Sequence, residues 1–179
     1  LSGSMRCDVQ GGGCYISSWW CQNLCGGTWL LPINNAKSAN KQFINSILNI
    51  SGNRIGLVGY RGSFSPNDYH ALSSNNNSLI TEVNSWSADG STCICCGINK
   101  AVSDLISDSS QEKFRSLVVM SDGEANVQCS QQGTGNAKQD AIKAACDAYN
   151  NYGIKVYSVG FGSDADEITL QEISSCGYG

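Results

Sequence analysis

Three short segments carry oxygen-bearing side chains at places where a fold can use them: Ser2-Gly-Ser4, Asp89-Gly-Ser-Thr92, and Ser121-Asp122-Gly123-Glu124, which directly follows the apolar run Leu117–Met120. Open parallel sheets bind ligands at the carboxyl ends of their strands, so hydroxyls and carboxylates in such loops come first. Each segment also has a plain structural explanation. Ser2, Ser4 or Thr92 can cap a helix, and Asp122-Gly123 can form a turn. Asp122 and Glu124 have the residue types of a catalytic carboxylate pair, but side chains two apart on a loop need not face one substrate. His70 has no Ser or Cys partner in a recognisable motif, and no glycine-rich phosphate loop follows a strand. The expectation is a binding protein rather than an enzyme.

Thiols are the other reactive groups. Ten cysteines, at 7, 14, 21, 25, 93, 95, 96, 129, 146 and 176, are an even number and dense for this length, which points to disulfides and an oxidising compartment. Thiolate zinc is the competing chemistry, since Cys21-Gln-Asn-Leu-Cys25 and Cys93-Ile-Cys95-Cys96 supply ligand types. No pair of CxxC motifs is present and His70 is the only histidine. Asn49-Ile-Ser51 and Asn76-Asn-Ser78 are glycosylation sequons, in keeping with secretion.

A formal charge of −4 and a pI near 4.8, without any Lys/Arg cluster, argue against nucleic acid and other polyanions as partners. No apolar run reaches the roughly 18 residues of a membrane span, so a membrane would be met only through regions outside this segment.

The elements that must position these groups follow from periodicity. Ala36, Ala39, Phe43, Ile44, Ile47 and Leu48 recur at helical spacing within Asn34–Ile50. Arg54–Tyr60 reads as a buried strand and Asp68–Leu72 as a short edge strand. Leu79 to Trp86 and Ile94 to Leu105 read as helices, Leu117–Met120 and Ile154–Phe161 as buried strands. Between those strands lies a helix through Ala141 and Tyr152, stopped by Gly153, and Glu167–Ile173 begins a last one. Such alternation predicts an α/β fold: a mostly parallel, doubly wound sheet flanked by helices on both faces. Residues 1–179 read as one domain. Arg6 to Leu31, with four cysteines, three tryptophans and Gly11–Gly13, has neither period and reads as a disulfide-stapled insertion.

Taken together, the three oxygen-bearing segments resemble the von Willebrand factor type A family, the integrin I-like, Rossmann-type fold. Its metal-ion-dependent adhesion site uses Asp-x-Ser-x-Ser after the first strand, a later Thr, and an Asp in a strand-end T/S-D-G motif. Leu1-Ser-Gly-Ser4-Met5 is similar to the tail of the first, Gly90-Ser-Thr92 to the Thr loop, and Val118-Val-Met-Ser-Asp-Gly-Glu124 to the last. Arg54-Ile-Gly-Leu-Val and Ile154–Gly162 are similar to the family's second and fifth strands.

The resemblance implies Ser2 and Ser4 as direct hydroxyl ligands of a metal, with Thr92 and Asp122 as ligands directly or through water. Mg²⁺ is the ion implied, with Mn²⁺ or Ca²⁺ as substitutes. A small hard cation takes about six oxygens and keeps several waters, so three hydroxyls and one or two carboxylates leave a position open to solvent. The implied partner is a protein, or a matrix or cell-surface component, that offers a carboxylate there. The implied setting is extracellular or at the cell surface, with a place in a larger polymer compatible with it; the other reading is a structural subunit of an extracellular filament or pilus whose metal site is not essential. The motif's leading Asp and the family's first strand would precede Leu1, and a last strand and helix would follow Gly179. Cys7 would lie near Cys93, Cys95 and Cys96, where a disulfide would staple the insertion beside the metal, and Gly11–Trp29 would form part of the partner-binding rim.

Overall fold

A computed structural model of the protein describes residues 7–8, 13–14, 32–61, 63–87, 90–108, 114–162 and 164–177. Ser2, Ser4, Asp89 and most of the 6–31 insertion lie outside the described residues. Of that insertion, β1 (Cys7–Asp8) and β2 (Gly13–Cys14) form an antiparallel two-residue pair.

Every element read from periodicity is present. Helix α1 spans Pro32–Leu48 and opens on a proline, which has no amide hydrogen to leave unpaired in the first turn. Strands β3 (Ile55–Arg61) and β4 (Ser63–Ser73) follow, then α2 (Asn76–Ser85), started by Asn75, whose side chain accepts from the Ser78 amide at 3.2 Å. Helix α3 (Ile94–Ser107) leads to β5 (Ser116–Ser121). Helix α4 (Ala137–Tyr152) begins at Asn136, which caps the Lys138 and Gln139 amides, and ends at Gly153, whose φ of 65° is the left-handed conformation that a C-terminal glycine supplies. Strand β6 (Lys155–Gly160) and α5 (Glu167–Cys176) complete the order.

Strand β3 has helices on both sides. Its buried Ile55 and Leu57 pack with Ile44, Leu79 and Val83 of α1 and α2, whereas Tyr60, of opposite parity, packs against Gly97 of α3. A second core joins Ile94 and Ile98 of α3, Val119 and Val156 of the two later strands, Ala141, Ala144, Ala145 and Ala148 of α4, and Leu170 and Ile173 of α5. The disulfide Cys146–Cys176 ties α4 to α5.

The α/β class stands, with a finding about the sheet. Strands β5 and β6 pair in parallel from Ser116↔Lys155 to Ser121↔Gly160, while the edge strand β4 pairs antiparallel with β3. No backbone ladder joins the two pairs among the described residues. Their facing edges border a cleft of about 640 Å³ with an apolar floor that includes Phe43, Ile94, Ile98 and Leu105. One side chain crosses the cleft: the Tyr60 hydroxyl donates to the Met120 carbonyl.

The disulfides differ from the staple imagined between the insertion and the metal face. Cys93 pairs with Cys96 and Cys95 with Cys129, so all three cysteines after Thr92 are bonded without Cys7. A helical turn puts residues three apart side by side, which favours the 93–96 bridge.

Candidate functional site

The site is built from the loop after β5 upward. Ser121, the last residue of the strand, is buried; its hydroxyl donates to the Gly123 carbonyl at 3.0 Å and accepts from the Gly123 amide at 3.4 Å. This small turn leaves Asp122 exposed at the strand's carboxyl end. Thr92 stands on the neighbouring loop, ahead of α3. Its amide donates to Asn126 Oδ1 at 2.7 Å, and its carbonyl accepts from the Asn126 amide at 3.0 Å and the Val127 amide at 3.4 Å. The loop carrying Asp122 therefore holds Thr92 directly. Cys95–Cys129 closes the same two segments covalently one turn below.

Beneath them lies a buried carboxylate. Asp140, 1% exposed, accepts from the Cys129 amide at 2.9 Å, the Thr134 amide at 2.9 Å and the Thr134 hydroxyl at 2.6 Å. Burial works against its charge, but those hydrogen bonds outweigh it and hold the carboxyl below its ordinary range.

Thr92 and Asp122 line the same cleft, together with Ser121 and Tyr60. Burial raises the Tyr60 phenol above its usual pKa; a hydrogen bond with Ser121 works the other way, and the negative charge of Asp122 adds to the rise. Neither the Thr92 hydroxyl nor the Asp122 carboxylate has a hydrogen-bond or ion-pair partner among the described residues. Glu124 is engaged elsewhere, 3.0 Å from Lys138 Nζ, which also lies 2.8 Å from Asp166. Lys138 and then the Thr169 hydroxyl hold Asp166 down at about 2. The two carboxylates of the Ser121–Glu124 motif thus have different roles: Glu124 joins a surface ion pair, and Asp122 faces the cleft.

Two of the four expected ligands, Thr92 and Asp122, are accordingly brought to one rim. Ser2 and Ser4 lie outside the described residues. Such oxygen donors suit a hard divalent cation: a neutral hydroxyl and an uncommitted carboxylate, held by loops that are themselves fixed. Asn126, Asp140 and Lys138 escaped the sequence reading. Asn126 lies only four residues after Asp122, but no periodicity marks it, and Asp140 looks like any acidic residue in a helix's first turn.

The fold and this rim define a class: an α/β domain with oxygen-bearing side chains gathered at the carboxyl end of a strand. Residues 31–178 match the von Willebrand factor type A domain, and the chain belongs to that family. The family is one of protein-interaction and adhesion modules, and its members commonly bind a divalent metal at the metal-ion-dependent adhesion site. Among solved structures the chain is similar to proximal thread matrix protein 1 from the mussel byssus, at 14% identity and a TM-score of 0.59, over 79% of this chain and 35% of that one. A second structure of that protein, with a zinc-occupied MIDAS motif, matches at 16% identity and the same TM-score, over 79% and 36% of the two chains. The likeness is one of fold, and the chain spans only about a third of those structures. No curated protein sequence matches it significantly.

Proposed function

We propose that this chain is a metal-dependent protein-binding module of an extracellular or cell-surface protein, and not an enzyme. Ser2, Ser4, Thr92 and Asp122 hold Mg²⁺, for which Mn²⁺ or Ca²⁺ can substitute. When bound, the ion supplies a Lewis-acidic position open to solvent, which a carboxylate of a protein or matrix partner can fill. The observation that carries the reading is the pairing of an uncommitted Thr92 hydroxyl and Asp122 carboxylate on one rim, with their loops locked by Asn126. The zinc-occupied MIDAS motif of the mussel protein supports a divalent metal there, and that protein's description as a thread matrix protein supports an extracellular setting.

Four residues of the rim have distinct tasks in this reading. Asp122 contributes the negative charge, Thr92 a neutral oxygen, Ser121 shapes the turn that presents Asp122, and Asn126 keeps Thr92 at the rim. The second reading, a structural subunit of a filament or pilus, needs none of these side chains. Isothermal titration of Mg²⁺ into the 179-residue chain separates the two. The expected result is one saturable site whose affinity falls at least about tenfold, or about 1.4 kcal/mol, in Asp122→Ala, with a smaller loss in Thr92→Ala. No saturable binding by the parent chain, or equal affinity in Asp122→Ala, overturns the proposal.

A further inference from the structure

Immediately behind the rim, Cys93, Cys95, Cys96 and Cys129 bring their sulfurs within 4.8 Å of one another in a mostly buried cluster. Two contacts are the disulfides Cys93–Cys96 and Cys95–Cys129. The contacts that cross between the bridges measure 3.8 Å for Cys93 to Cys95, 3.7 Å for Cys93 to Cys129 and 3.6 Å for Cys96 to Cys129. The bridges therefore form opposite edges of a sulfur tetrahedron. A tetrathiolate zinc site with Zn–S bonds of about 2.3 Å has sulfur–sulfur edges of about 3.8 Å. Three of the four crossing edges already have about that length, the fourth, Cys95 to Cys96, lies within 4.8 Å, and the two bonded edges must open.

We infer that these four cysteines are a two-state cluster: paired disulfides when oxidised, and a tetrathiolate site for Zn²⁺ or a similar thiophilic divalent cation when reduced. The placement favours the reduced, metal-bound form in a second way. Cys93 is the N-cap residue of α3, with no side-chain capping bond of its own, and Cys95 and Cys96 lie in the first turn. The positive end of the helix dipole offsets the negative charge that four thiolates bring to a divalent ion.

The chemistry balances with a phosphine as reductant. Each phosphine, with one water, converts one bridge into two thiols and becomes the phosphine oxide, so two equivalents give four thiols. Binding of one Zn²⁺ then releases four protons as the four sulfurs become thiolates. This site is separate in residues and ligand chemistry from the oxygen rim, and it stands without the rim's proposed function.

The probe is Co²⁺, added anaerobically to the phosphine-reduced 179-residue chain. One equivalent is expected to produce the intense visible and near-ultraviolet absorption of tetrahedral thiolate-bound Co²⁺, bleached by Zn²⁺ and absent from the oxidised chain. Cys129→Ser is expected to lower the affinity at least about 10- to 100-fold, since losing a ligand costs no less than losing an outer-shell partner. The double variant Cys146→Ser, Cys176→Ser and the single variant Asp122→Ala are expected to keep the spectrum, the second separating this site from the rim. Alkylation mapped by mass spectrometry covers the case in which Cys129→Ser does not fold: Zn²⁺ should protect residues 93, 95, 96 and 129 of the parent chain together. Absence of the thiolate spectrum in the reduced chain, its full retention in folded Cys129→Ser, or equal alkylation of the four cysteines with and without Zn²⁺ overturns the inference.

Discussion

Asn126 holds Thr92 by both of its backbone groups, accepting from the Thr92 amide at 2.7 Å and donating to its carbonyl at 3.0 Å across 34 residues of sequence. The Thr92 loop and the Asp122 loop consequently move as one. Asn126→Ala keeps the backbone half of this clamp and removes the side-chain half. The expected cost is about 1 kcal/mol, a fall in Tm of about 2–4 °C, with weaker Mg²⁺ binding although no proposed ligand has been touched. Thermal denaturation with and without Mg²⁺ measures both, and an unchanged metal response would detach Asn126 from the site.

Asp140 is the buried anchor of the segment from Cys129 to Thr134. Asp140→Ala leaves the Cys129 and Thr134 amides without their acceptor, while the Thr134 hydroxyl keeps the Asn136 carbonyl at 3.0 Å; the expected loss is about 2–3 kcal/mol, read from urea denaturation at neutral pH. Asp140→Asn, of the same shape, should lose less, because its amide oxygen in the place of Oδ1 can still accept both bonds from Thr134.

Acid should expose the same carboxylates. Asp140 and Asp166 both sit below their ordinary value of 3.8 in the folded protein, Asp166 at about 2. A depressed folded pKa means that the contribution is complete above the unfolded value and disappears as pH falls through the folded one. Stability should therefore hold down to the ordinary carboxylate range and decline below it, toward about pH 2. Lys138→Met removes the first cause of the Asp166 shift, and its denaturation curves should show a smaller decline over that window.

Gly97 permits close packing of α3 on β3. A Cβ at this position would lie 2.7 Å from a ring carbon of Tyr60. Gly97→Ala should therefore cost about 1–3 kcal/mol as the ring or the helix moves away. The pairing with Tyr60→Leu is diagnostic: in a double-mutant cycle, removal of the ring should recover much of the loss.

Cys146–Cys176 joins α4 to α5 across a sequence separation of 30. Replacing both cysteines by serine should lower stability by about 3 kcal/mol, since the unfolded chain regains the entropy of the opened loop. Denaturation under non-reducing conditions reads this directly. No loss would mean that the core of Leu170, Ile173 and Ala145 alone fixes the two helices.

The secondary structure was legible because its signals are local. The apolar spacing in Asn34–Ile50 anticipated α1 at Pro32–Leu48, and the Gly153 stop gave the end of α4 to the residue. Edge strand β4 extends from Ser63 to Ser73, well beyond the Asp68–Leu72 read from sequence, because its length is set by pairing with β3 and not by its own pattern. Of the site, Thr92 and Asp122 were legible as loop residues beside apolar runs, and the family resemblance gave them a common purpose. The expected staple from Cys7 to the later cysteines was not formed, because Cys93, Cys95 and Cys96 find closer partners in one another and in Cys129.

The sequence by itself determined the order of helices and strands, the α/β class, the von Willebrand factor type A resemblance and the chemical types available to a ligand, since all of these depend on residues near one another along the chain. Only the tertiary structure decided which cysteines meet, that Asn126 grips Thr92, that Asp140 is a buried acceptor, that Glu124 turns to Lys138 while Asp122 does not, and that β3 and β5 face each other across a cleft. Those are contacts between segments brought together by burial, where distance in space is set by packing and closes no pattern that a single stretch of sequence could display.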